Sequence, residues 1–102
     1  MKVVIKGHRY QLDSFEGTAP QTLQFIQKEP NAADPTKLDT ISDGTTNEDV
    51  LEMLIDRIKF LNAKFPCREN SLAITDLESA RNWMLQRTRE REKRNVEGKH
   101  IA

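Results

Sequence analysis

The stretch KFPCRENSLAITDLESARNWMLQRTRERE, from Lys64 to Glu92, decides how the rest of the chain is read. Pro66 disfavours helical backbone at Phe65 before it, so the chain turns at Phe65-Pro66-Cys67. A second helix is expected to start between Arg68 and Ser71, with Asn70 or Ser71 as its cap. Ala73, Leu77, Ala80 and Met84 recur at helical spacing, Ile74 and Trp83 extend the stripe, and the small alanines allow close helix approach. After Met84 the stripe stops and the helix turns arginine-rich. Arg87 and Arg91 are four apart and share one face, with Arg89 and Lys93 beside them. The simplest account of this end is a solvated helix terminus in which Glu90 and Glu92 pair with those arginines.

Upstream of the turn, SDGTTNEDVLEMLIDRIKFLNAKFP carries a helix of its own. Thr45 stands three residues before Glu48, the spacing of a capping box, and Glu48 and Asp49 put negative charge where the helix dipole favours it. Val50, Leu54, Ile58, Leu61 and Phe65 make a continuous apolar stripe, which Leu51, Met53, Ile55 and Phe60 widen. So broad an apolar surface needs more cover than one partner helix and a small sheet, which implies a subunit interface. Two helices joined by so short a turn lie antiparallel.

Toward the N-terminus, residues 2–15 alternate in the strand period, and Gly7-His8 separates KVVIK from RYQLDSF as the turn of a β-hairpin. A third strand is expected at Thr22–Gln27. The following segment, EPNAADPTKLDTISDG, reads as a Pro-containing connector with one short strand at 37–41. The fold expected is therefore α+β, with a small N-terminal antiparallel β-sheet packed on a C-terminal antiparallel two-helix hairpin, and oligomeric. We assign one domain over 1–102, with residues 1–41 as the β-rich portion and connector and 42–102 as hairpin and tail.

Composition excludes several classes. Sixteen Lys and Arg balance sixteen Asp and Glu, leaving no net field to draw the chain to a nucleic-acid polymer or a membrane surface. Cys67 is the single cysteine, so neither an internal disulfide nor a cysteine zinc site can form within one chain, which suits a reducing compartment. The opening MKVVIKGHRYQLD lacks a signal-peptide core, so a soluble cytosolic protein is expected. His8 and His100 are far apart in sequence and sit beside no carboxylates at metal-ligand spacing; they read as turn and tail residues, and no metal or cofactor is expected. Arg9 and Tyr10 have the chemistry to stack on or pair with a ligand, but exposed strand positions explain them equally well.

The string FPCRENSLAITDLESARNWM, with DGTTNEDVLEMLIDRIKFLN before it and QRTREREKRNVEG after it, resembles the first type of the phage Thoeris anti-defence family. It is more distantly similar to the phage sponges that counter CBASS, which share the helical hairpin and the turn motif of Pro, a short polar link, Arg-Glu and Ser-Leu-Ala-Ile-Thr. The resemblance covers about the last 60 residues specifically and the strands more loosely. It implies a non-enzymatic sponge in the cytoplasm of an infected or lysogenic bacterium. Such a sponge sequesters glycocyclic ADP-ribose, the signal made by TIR-domain proteins. The family's pocket aromatic, late in the first helix, matches Phe60; its Asn just past the turn matches Asn70; its two late arginines match Arg87 and Arg91. Phe60 would stack on adenine, Asn70 would hydrogen-bond base or ribose, and the arginines would clasp the pyrophosphate with forked bonds. Arg68 and Arg57 are further candidates for the same site; Arg68 also suits a turn-holding ion pair and Arg57 a solvated helix face.

Helix geometry then adds a deduction of its own. Arg87 lies seventeen residues beyond Asn70, roughly 25 Å along a straight helix. If all four residues serve one pocket, the arginines come from a second, antiparallel subunit, and a two-fold dimer makes two such pockets. The resemblance also allows hexamers, whose extra interfaces in related sponges bind cyclic trinucleotides. Two rival readings are a cyclic-nucleotide phosphodiesterase, against which stands the lack of any His pair, carboxylate dyad or metal-ligand spacing, and a small helical regulator using the 87–94 end on nucleic acid.

Overall fold

A computed structural model describes residues 1–94. The described chain forms two compact units, residues 1–46 and residues 47–94. In the first, β1 (Lys2–Ile5), β2 (Arg9–Leu12) and β3 (Gln21–Gln24) form an antiparallel sheet in that order. The turn falls where Gly7 places it: Gly7 has φ +81°, a left-handed conformation that costs glycine little, and the His8 amide closes back on the Ile5 carbonyl at 2.9 Å.

The third strand is shorter than its sequence pattern suggests. The pattern runs through Gln27, but the ladder ends at Gln24, because its partner Arg9 is the first residue of β2 and the chain beyond it is the Gly7 turn. The Thr45 amide donates to the Gln24 carbonyl and the Ile26 amide to the Thr45 carbonyl, both at 2.9 Å, making a parallel bridge at Phe25. Phe25 meets Tyr10 edge-on, with ring centroids 5.9 Å apart. The chain then re-enters extended structure as β4 (Gln27–Pro30), which pairs antiparallel with β5 (Leu38–Ser42). The segment read as a connector with one strand is thus a two-stranded sheet. Its loop is held by side chains: Asn31 Oδ1 accepts from the amides of Ala33 and Asp34 at 2.8 and 2.9 Å, and its amide group donates to Asp39 at 3.1 Å. Asx turns of this kind have no periodicity and leave a hairpin looking like a linker.

Gly44 sits where the bridge is tightest. A Cβ there would overlap the Gln24 carbonyl oxygen and lie 2.7 Å from the Phe25 carbonyl carbon, all main chain that cannot step aside. Gly44→Ala is expected to cost about 1–3 kcal/mol of stability through this overlap. Thermal denaturation checks it: a lowered Tm supports the close approach, and an unchanged one contradicts it.

The second unit is the hairpin of α1 (Asn47–Lys64) and α2 (Arg68–Lys93). Its helices are antiparallel, as successive cross-links show. Glu48 Oε1 accepts from Thr88 Oγ1 at 3.5 Å, Glu52 meets Arg81 at 3.7 Å, and Lys59 meets Glu78 at 3.4 Å. α1 begins at Asn47, one residue later than a Thr45 cap implies, because Thr45 is held in the bridge to the strands. α2 begins at Arg68 and is capped by Cys67, not by Asn70 or Ser71. Cys67 is extended (φ −149°, ψ 158°), and its sulfur accepts the Asn70 amide at 3.4 Å. Asn62 folds the turn closed, accepting the Cys67 amide at 3.0 Å and donating to Ser71 Oγ at 3.4 Å.

Which face of α1 packs is the largest departure from the sequence reading. Glu48, Val50, Leu51, Ile55, Ile58 and Asn62 are the covered positions, Ile55 falling to 9% exposure, as does Ile74 on α2. Of the expected stripe, Val50 and Ile58 are partly covered, whereas Leu54, Leu61 and Phe65 are exposed, as are Met53, Phe60, Leu72 and Trp83. α1 therefore has two apolar faces, and the hairpin uses one of them.

Candidate functional site

The residues singled out in the sequence fall into two groups at opposite ends of the hairpin. At the turn end, Phe60 lies in the penultimate turn of α1 and leaves 55% of its surface open. The Lys64 ammonium sits over its ring, 4.5 Å from the centroid. Arg57 is exposed three residues before Phe60, so a cationic side chain precedes and follows the aromatic along α1. Across the turn, Arg68 is the exposed first residue of α2, and half-covered Asn70 has its backbone amide fixed by the Cys67 cap. Asn62 and Cys67 hold the two helices together at this end. Neither of these two stood out in the sequence, where Asn70 and Ser71 were the expected caps.

The far end holds the other group. Arg87 is exposed, whereas Arg91, one turn later, retains 9% of its surface. The two arginines of the i, i+4 pair are thus unequal: one faces solvent and one is packed. Arg89 lies back along its own helix, its Nε donating to the Leu85 carbonyl at 3.4 Å. α2 is one uninterrupted helix from Arg68 to Lys93. No break brings Asn70 toward Arg87, and the structure leaves the two groups about 25 Å apart within a chain.

Between the ends, a groove along α1 and α2 is lined by Glu52, Asp56, Lys59, Glu78, Arg81 and Asn82 around Ile55. Carboxylates outnumber cations there, so it is no cradle for an anion. Arg81 spans it to Glu52, its Nε buried without a hydrogen-bond partner.

The remaining polar candidates serve the strands. Arg9 Nε donates to Gln24 Oε1 at 2.6 Å, Tyr10 packs on Phe25, and the His8 carbonyl accepts the Phe25 amide at 2.8 Å. His100 lies outside the described residues. Among the described residues no group of three His, Cys, Asp or Glu is placed to hold a metal ion, and no helix is long and apolar enough to cross a membrane.

The arrangement offers an aromatic platform flanked by cations and an amide at one end, and guanidinium groups at the other. These groups stack, hydrogen-bond and neutralise charge.

Comparison with known proteins agrees with the hairpin as the defining element. The family described as "Acb2/Tad1, hairpin domain" matches residues 24–89, a span that contains Phe60, Asn70 and Arg87 and stops short of Arg91. A Bacillus phage SBSphiJ7 protein named "Thoeris anti-defense 1" is 52% identical over 60 residues, covering 58% of this chain and 42% of that protein. The chain thus aligns with less than half the length of that relative.

Proposed function

This chain belongs to the Acb2/Tad1 hairpin-domain family, and on that premise we propose that it is a phage anti-defence sponge that binds and sequesters glycocyclic ADP-ribose. Holding the signal below the level that activates the Thoeris effector would block that defence in the cytoplasm of the host bacterium. In this reading Phe60 stacks on the adenine, Asn70 hydrogen-bonds base or ribose, and Arg87 with Arg91 neutralises the pyrophosphate. Arg57 and Arg68 add positive charge at the base-binding end.

The observation that carries the proposal is the separation of the two groups along an unbroken α2. One small dinucleotide cannot bridge roughly 25 Å, but an antiparallel second copy brings its arginine end to this chain's turn and closes two equivalent pockets. The unused apolar face of α1, with Met53, Leu61 and Phe65 open, supplies surface for such a dimer. Sedimentation is expected to give at least twice the 11.8 kDa of one chain; a monomer at micromolar concentration would contradict the shared pocket.

The direct test mixes the protein with glycocyclic ADP-ribose, removes the complex by filtration and denatures it. Release of the unaltered ligand supports sequestration. A cleaved product would make the protein a phosphodiesterase, and salt-sensitive binding of DNA or RNA without ligand capture would make it a nucleic-acid regulator.

A further inference from the structure

The proposed function does not use the lysine that covers its aromatic platform. Lys64 follows Phe60 by four residues, on the same face of α1, and its ammonium lies 4.5 Å from the ring centroid. Stacked rings place their centroids about 4.5–7 Å apart, so a base laid on that ring face would occupy the space the ammonium holds. The two cannot be there together. Phe60 is otherwise 55% exposed, and the lysine stem is long and flexible enough to swing aside without moving backbone.

Resting on the reading of Phe60 as the base platform, we propose that Lys64 is a specificity-determining residue: a base displaces its ammonium from the ring, and the ammonium moves to the phosphates attached to that base. The exchange has opposite consequences for two kinds of ligand. A nucleoside breaks the cation–π contact and returns nothing to the lysine. A pyrophosphate-bearing nucleotide offers an anion within reach of the displaced ammonium, and a charge-assisted hydrogen bond replaces the lost contact. Arg57, on the other side of Phe60, is exposed and keeps that flank positive throughout, while Asp56 faces the groove between the helices. Lys64 therefore raises the cost of binding a bare base and lowers that of binding a phosphorylated one.

Calorimetric titration of Lys64→Met, which keeps most of the stem and removes the charge, tests this with glycocyclic ADP-ribose and with adenosine. Affinity for the phosphorylated ligand is expected to fall about three- to tenfold, and affinity for adenosine to rise about two- to fivefold, the size of an exposed cation–π contact. Equal changes in the same direction, or no change for either ligand, would overturn the exchange. A second readout needs no nucleoside affinity: the Lys64 ε-methylene protons are expected upfield in the proton NMR spectrum through the Phe60 ring current. They should lose that shift in Phe60→Ala and on addition of glycocyclic ADP-ribose. An upfield shift that survives saturation with ligand would also overturn the exchange. Phe60→Ala distinguishes the role of the ring from that of Lys64: if it binds as well as the unaltered chain, Phe60 is not the base platform. If it loses binding while Lys64→Met changes neither ligand, only the role of Lys64 fails.

Discussion

Phe60→Ala is expected to weaken binding of glycocyclic ADP-ribose on the order of 10- to 100-fold, the range that loss of one base–aromatic stack produces. The ring is 55% exposed and its removal leaves Ile55 and Ile74 in place, so the helical circular dichroism signal and the Tm should hardly move. That combination distinguishes a binding residue from a packing one. A variant that lost stability and affinity together would mean that Phe60 is buried in an interface and contributes to the pocket only through it. Titration calorimetry beside a thermal melt reads both quantities.

Ile74→Ala should have the opposite profile. Ile74 and Ile55 are the most covered apolar residues of the hairpin among the described residues, each at 9% exposure, so truncation of Ile74 opens a gap in its packing. A loss of about 2–4 kcal/mol is expected, a large part of the 5–15 kcal/mol typical of a whole domain. Denaturant unfolding should show a lower midpoint, and saturating ligand should restore part of it by mass action, since ligand binds the folded state alone. A midpoint unchanged by the substitution would mean that the two helices are held together by something other than this pair.

The hairpin was legible because its punctuation is local. Pro66 forbids a continuous helix, Glu48 and Asp49 mark the start of α1, and apolar residues recur at three and four on both sides of the turn. What the pattern could not settle was which apolar face of α1 meets α2. Leu51, Ile55 and Ile58 form one stripe and Leu54, Ile58, Leu61 and Phe65 another, and both satisfy helical periodicity; only the partner helix chooses between them. The cap at Cys67 was hidden for a chemical reason, since thiol is a poor acceptor and polar Asn70 and Ser71 stood nearby. The β4–β5 pairing was hidden because its loop is organised by Asn31 and Asp34 side chains, and the early end of β3 because its partner strand begins only at Arg9, after the Gly7 turn.

For the candidate site, the residues came from a motif and their arrangement from helix geometry. An unbroken α2 sets Asn70 and Arg87 at opposite ends, which single-chain reasoning foresaw from the spacing. The inequality of Arg87 and Arg91 was not legible, because residues four apart on a helix face look alike until burial is known. Nor was the lysine over Phe60, whose i, i+4 spacing is common to many solvated pairs.

A pocket that takes its platform from one chain and its arginines from another can be tested by mixing two disabled proteins. Phe60→Ala and Arg87→Ala are each expected to bind glycocyclic ADP-ribose poorly alone. In a mixed dimer, one pocket collects both substitutions and the other collects intact Phe60 from one chain and intact Arg87 from its partner. Co-refolding the two variants should therefore restore tight binding at about one pocket per mixed dimer. If the mixture binds no better than either variant by itself, the pocket lies within one chain and the shared site is refuted.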